Sequence, residues 1–191
     1  ELIFVSFGRT DGSVAHHWVD TDNVEGARLA TRHLVELGHS DVGFLGWPGA
    51  SWVGDDRREG WRRELMSHGL SSRESSAAAA ANDRHEGAAA TEWLLAQNPT
   101  MTAVVAASDE LALGAQVAAS RMGRKVSVVG YDDGPMALAG VGLTTIQQPI
   151  FEIAHRILRL TARLIDGERP DPVHERVVPR LVVRGSTGAN Q

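Results

Sequence analysis

The 191-residue chain has no cysteine, a single lysine (Lys125) and a single tyrosine (Tyr131). Without cysteine there is no disulfide, no thiolate metal site and no cysteine nucleophile, a composition that suits a reducing compartment. No stretch of about 18 consecutive apolar residues occurs, so no membrane-spanning helix is encoded. Also missing are a G-x-G-x-x-G after a strand, a G-x-x-x-x-G-K-[ST] loop, a G-x-S-x-G elbow and an H-E-x-x-H pair. Their absence argues against dinucleotide, P-loop and hydrolase chemistry. No nucleophile stands beside an activating group, so neither an enzyme nor a cofactor is expected. Basic excess is lacking too, with 19 Lys plus Arg against 24 Asp plus Glu and a formal charge of -5. The basic residues are interleaved with acids, as in Asp55-Asp56-Arg57-Arg58-Glu59, which is not the stripe that grips a phosphate backbone.

What is present is ordinary globular material, 42% hydrophobic and 23% charged, long enough for one large domain or two modest lobes. Leu2 to Phe7 reads as a strand buried on both faces, ended by Gly8-Arg9. Asp11-Gly12 centres a turn. Asp22 or Asn23 caps a helix reaching Leu37, and Gly38 stops it. Strand Val42 to Gly46 leads into a loop, Trp47 to Gly54, and a helix from about Asp56 to His68. Asn82 or Asp83 caps a helix through Gln97, with Trp93-Leu94-Leu95 facing inward. Strand Thr102 to Ala107 is followed by a Ser108-capped helix to Met122. Strand Val126 to Gly130 opens into the loop Tyr131 to Pro135. A short extended piece, Thr144 to Ile146, precedes a helix over Ile150 to Ile165 and a last strand, Val177 to Val183. Such alternation predicts an α/β fold with parallel sheet covered by helices on both faces. Right-handed crossovers gather the strand-to-helix loops at one sheet edge, where open sheets bind ligands.

Several polar residues fall at that edge. Arg57 and Asp132 form the leading pair, because a guanidinium fork and a carboxylate grip neighbouring hydroxyls of a sugar or polyol. Trp47 and Trp52 offer ring faces for an apolar sugar face; the plainer alternative is a loop salt bridge and two partly buried rings. Ser108-Asp109 reads as a helix cap that also points a polar group at the cleft. Asp132-Asp133 as a metal site lacks a third ligand, and adjacent side chains seldom aim at one point. His16-His17 reads as a solvated or interlobe pair.

The segments "VDTDNVEGARLATRHLVELGHSDVGFLG", "DDRREGW", "AASDELALGAQVAASRMG", "VSVVGYDDGPMA", "LTTIQQPI" and "LVVRGSTG" occur in an order and spacing that resemble the effector-binding core of the LacI/GalR family of bacterial transcription regulators. The resemblance implies a type I periplasmic-binding-protein-like fold, two α/β lobes with a ligand cleft between them. It implies a homodimer in the cytoplasm, and operator DNA bound only through an N-terminal helix-turn-helix domain outside this chain. Residues 1–18 then correspond to the last part of the N-terminal lobe and 19–143 to the complete C-terminal lobe. Residues 144–191 correspond to the crossover, with its helix and strand returning to the first lobe. That helix is expected to lack its sheet and to expose an apolar face. Arg57 and Asp132 match the family's cleft arginine and aspartate. Ser108 departs from the common asparagine, and the Ala-rich stretch ending Ala81-Asn82 departs from a usual aromatic position, which Trp47 or Trp52 would replace. The alternative on the same fold is a solute-binding receptor serving a transporter or sensor.

Overall fold

Short β-branched runs and capped helices build two sheets in the computed structural model, which describes residues 3–10, 15–49, 51–138 and 142–190. In chain order the elements are β1 (Val5–Phe7), β2 (His17–Thr21), α1 (Asn23–Glu36), β3 (Val42–Gly46), α2 (Trp52–Ser67) and β4 (Ala77–Ala79). There follow α3 (Arg84–Gln97), β5 (Ala103–Ala106), α4 (Asp109–Arg121), β6 (Ser127–Asp132), β7 (Thr144–Gln147), α5 (Ile150–Ile165), β8 (His174–Val177) and β9 (Arg180–Val182). A six-stranded sheet has the order β4-β3-β5-β6-β7-β9, and a three-stranded parallel sheet the order β1-β2-β8.

The helix ends follow from side-chain chemistry. Asp22, Ser51, Asp83 and Ser108 each accept backbone N–H groups of the first turn they precede, and each such cap stabilises by about 1 kcal/mol. Gly38, Gly69 and Gly123 end α1, α2 and α4 at φ of +90°, +70° and +62°, a region that costs other residues strain. Along β3, Phe44 packs on Trp61 of α2, while the adjacent Gly43 lies against Leu94 of α3 and Met101 beyond it. Successive strand residues face opposite sides, so α2 and α3 cover opposite faces of the large sheet. Helix α1 packs beside α2, and α4 beside α3.

Several sequence expectations change here. Residues 17–21 form a strand that composition did not reveal. The first strand is not buried on both faces: among the described residues it pairs only with β2, and Phe7 is 54% exposed. Helix α2, capped by Ser51, begins at Trp52, four residues before the expected start. Trp93 points outward at 53% exposure, while Leu94 and Leu95 are buried. Tyr131 and Asp132 belong to β6 rather than to a loop. The single last strand is two: β8 pairs parallel with β2, and β9 antiparallel with β7, the chain changing sheets at Val178-Pro179. Helix α5 does have a sheet, since Ile153, Leu160 and Leu164 are buried as it packs on β1 and β2. The outward stripe of Phe151, Leu158 and Ile165 remains exposed. Residues 19–21 therefore sit in the small sheet, and residues 144–147 and 180–182 in the large one, unlike the divisions at 18 and 143. The turn at Asp11-Gly12 lies outside the described residues.

Candidate functional site

Among the described residues three segments pass between the sheets: Asp22, Gln148-Pro149 and Val178-Pro179. Above them the C-terminal ends of β3, β5 and β6 present Trp47, Ala107 and Asp132, and α2 brings Arg57 in beside them. Arg57 is 3% exposed. Its Nε donates to Asn23 Oδ1 at 2.9 Å, and its Nη1 donates to the Ala107 carbonyl. The guanidinium lies 3.5 Å from the Tyr131 ring centroid and 5.4 Å from that of Trp47. Nη1 stands 3.6 Å from Asp132 Oδ1. Burial lowers the pKa of Arg57, while Tyr131, Asp132 and Asp20 oppose that shift. A desolvated cation held by an amide, a carbonyl and two ring faces has its fork orientation set before any ligand arrives.

Asp132 has φ of +115° and Asp133 φ of +54°, sparsely populated backbone for residues other than glycine and a form of strain that gathers at binding sites. The kink separates the two carboxylates. Asp133 accepts from Gln147 Nε2 and Arg184 Nη2, both at 2.6 Å, while Asp132 Oδ1 accepts from Gln148 Nε2 at 2.7 Å. The Asp132 side chain is 39% exposed, yet the protein packed around the strand end raises its pKa, against the pull of Arg57 and Gln148. Gln148 Oε1 in turn accepts the Thr21 hydroxyl at 2.8 Å. A single side chain thus joins the end of β2 in the small sheet to the candidate carboxylate on β6 in the large one.

The other candidates are placed unequally. Ser108 is 1% exposed. It donates its only proton to Asn82 Oδ1 and accepts from Leu111 N–H at 3.3 Å. The hydroxyl is a committed cap. Trp47 is half-buried, with an indole N–H that has no hydrogen-bond partner among the described residues. Trp52 is 50% exposed, and the Arg9 guanidinium sits 4.9 Å from its ring centroid. Sequence reasoning missed Asn23 and Gln148, and it named Asp109 only together with Ser108 at the start of α4. The Asp109 carboxylate accepts Thr145 Oγ1 at 2.6 Å and the Gly134 N–H at 2.7 Å. Burial pushes its pKa up to about 6. No group of three metal-ligating side chains occurs among the described residues. A recess of about 550 Å³ lies elsewhere, around His39, Ser127 and Gly188. There His39 bonds Thr102, Ser127 and the Gly188 carbonyl, which makes that recess a seam fastening the C-terminal segment.

Residues 31–187 match the periplasmic binding protein-like domain family. The regulator GalS of Salmonella typhimurium is 35% identical over 184 residues, covering 93% of this chain and 54% of that protein. The chain belongs to the effector-binding core of the LacI/GalR family. Among solved structures, the complex of the regulator CelR with cellobiose superposes with a TM-score of 0.89 at 33% identity, covering 96% of this chain and 58% of that one. A LacI-family regulator from Enterococcus faecium with bound ribose superposes with a TM-score of 0.87 at 26% identity, covering 99% and 72%. The LacI/GalR core spans about half the length of the curated relatives it matches, and none of its helices is long and apolar enough to cross a membrane among the described residues.

Proposed function

We propose that this LacI/GalR core senses a small hydroxylated effector, a sugar or polyol. The effector sits between the two sheets against Arg57 and Asp132, with Trp47 as the nearby ring face. The pre-set Arg57 carries the reading: it is a buried guanidinium with one carboxylate 3.6 Å away and its remaining contacts fixed on Asn23, Ala107 and Tyr131. Cellobiose and ribose bound to the structural relatives support the ligand class. In this reading the protein is a cytoplasmic homodimer whose DNA-binding domain lies outside the chain, and the effector shifts the population of sheet-to-sheet arrangements that the DNA heads read. No reaction is assigned. In this reading Ser108 serves as the cap of α4, and one face of Trp52 is engaged by Arg9.

The test is calorimetric titration of the full-length protein with a panel of mono- and disaccharides that includes cellobiose and ribose. Truncating one partner of a buried, hydrogen-bonded charge pair costs about 2–5 kcal/mol of binding, so Arg57→Ala weakens binding by roughly thirtyfold or more. Asp132→Ala weakens it too, and Arg57→Lys fails to restore it because an ammonium lacks the planar fork. Sugar affinity unchanged in both alanine variants refutes the assignment.

A further inference from the structure

We infer that Arg9 is a closure residue, a side chain anchored in the small sheet that clasps the first turns of α2 and so helps to hold the cleft shut over Arg57. The inference rests on the cleft reading above.

The anchoring is in the backbone. Gly8 N–H donates to the Val19 carbonyl of β2 at 3.0 Å, and the Arg9 N–H donates to the Asp20 carboxylate. Arg9 therefore moves with β1 and β2. Its side chain leaves that sheet and ends on the other. Nη2 donates to Asp56 Oδ1 at 2.7 Å and reaches the Trp52 carbonyl at 3.5 Å, and the guanidinium stacks on the Trp52 ring. Trp52 and Asp56 are four residues apart on α2 and share one helix face, and the next residue along is Arg57. A contact between Arg9 and this face therefore bears directly on where Arg57 stands relative to the small sheet.

The chemistry suits a contact that opens and closes. The ion pair is partly solvated, with side-chain exposures of 26% and 21%, and pairs of that kind are weak and screened by salt. Stacking on Trp52 adds attraction, while the Arg9 Nε–H is buried without a hydrogen-bond partner among the described residues, which opposes it. Opposed terms of similar size leave a clasp that is made but not locked. They also account for Trp52, whose ring the sequence offered to a ligand.

The experiment reads the distance between the sheets without any ligand. Spin labels are placed on Met66→Cys in α2 and Asp166→Cys beyond α5 of the full-length protein, with cysteines outside this chain replaced by serine. Pulsed dipolar spectroscopy then gives the distance distribution. Arg9→Ala and Asp56→Asn each broaden the distribution and move it outward, and the double variant adds nothing further. Arg9→Lys, which keeps the charge but loses the planar stack, lies between. Raising the salt moves the unsubstituted protein toward the Arg9→Ala distribution and leaves that variant where it was. Distributions unchanged in both Arg9→Ala and Asp56→Asn overturn the clasp, with circular dichroism showing that each variant is folded. Arg57→Ala separates the two readings, because it removes sugar binding and leaves the interlobe distance alone. A failed sugar panel with shifted distances retires the effector reading but not the clasp.

Discussion

Asp109 is a carboxylate whose charge the fold disfavours. It opens α4, where the helix dipole favours an anion, and it accepts two hydrogen bonds, yet burial outweighs both and lifts its pKa from 3.8 to about 6. Between those values the folded chain keeps a proton that the unfolded chain releases. The stability this group contributes is therefore fully present below about pH 4 and is lost as the pH rises through about 6. Asp109→Asn removes the slope, so the urea stability of the variant relative to the parent rises between pH 4 and 6, by at most about 3 kcal/mol. A flat difference across that window contradicts the account. Side chains of this kind mark the limit of sequence reading. Asp132 was legible because it stands at a strand end, and Arg57 because it follows closely on the loop after β3. Asn23, Gln148 and the Tyr131 ring were not, since each acts on a residue far away in the chain and only the crossovers bring them together.

At the scale of elements, the placement of Arg57 depends on how closely α2 approaches α1. A Cβ at Gly60 would lie 2.2 Å from the Val24 carbonyl oxygen and 2.8 Å from Ala27 Cβ, so the helices meet backbone to backbone where Arg57 must reach Asn23. Gly60→Ala forces them apart. Overpacking of this sort costs about 1–3 kcal/mol, and the shifted α2 also carries Arg57 off Asn23 Oδ1. The variant is expected to lose urea stability and sugar affinity together, measured by denaturation and calorimetry. Loss of stability with affinity intact would show that Arg57 is held by Tyr131 and Ala107 alone. Apart from the start of α2, helix boundaries were readable from caps and positive-φ glycines, which act within a few residues of themselves. Strand partners were less so. His17–Thr21 has neither alternation nor a long β-branched run, and it becomes β2 because β1 and β8 hydrogen-bond to it on either side. The run from His174 to Val182 looks continuous, with Pro179 the only break, and nothing local says that its halves join different sheets.

The molecule as a whole is unequal in its two parts. The large sheet encloses a continuous buried core that includes Leu34, Leu45, Trp61, Leu94, Val105, Val129 and Ile146. The separate buried cluster at the small sheet is Val19, Ile153 and Val177, with Val5 and Ile157 against it. Phe4, Phe7, Phe151 and Leu158 stay exposed around that second cluster. Local stability follows buried apolar contact, so the small-sheet unit should open at lower free energy than the rest. In hydrogen-exchange mass spectrometry of the 191-residue chain, peptides covering β1, β2, β8 and α5 are expected to exchange before those covering β3, β5 and β6. In the longer regulator proposed above their protection should rise, where further chain covers the exposed rings, while that of the large sheet stays where it was. Equal protection of both sheets in the short chain would mean that the crossovers at Asp22, Gln148 and Pro179 weld them into one cooperative unit. Arg9 would then have no separate wall to hold, and an effector at Arg57 would have no second arrangement to select.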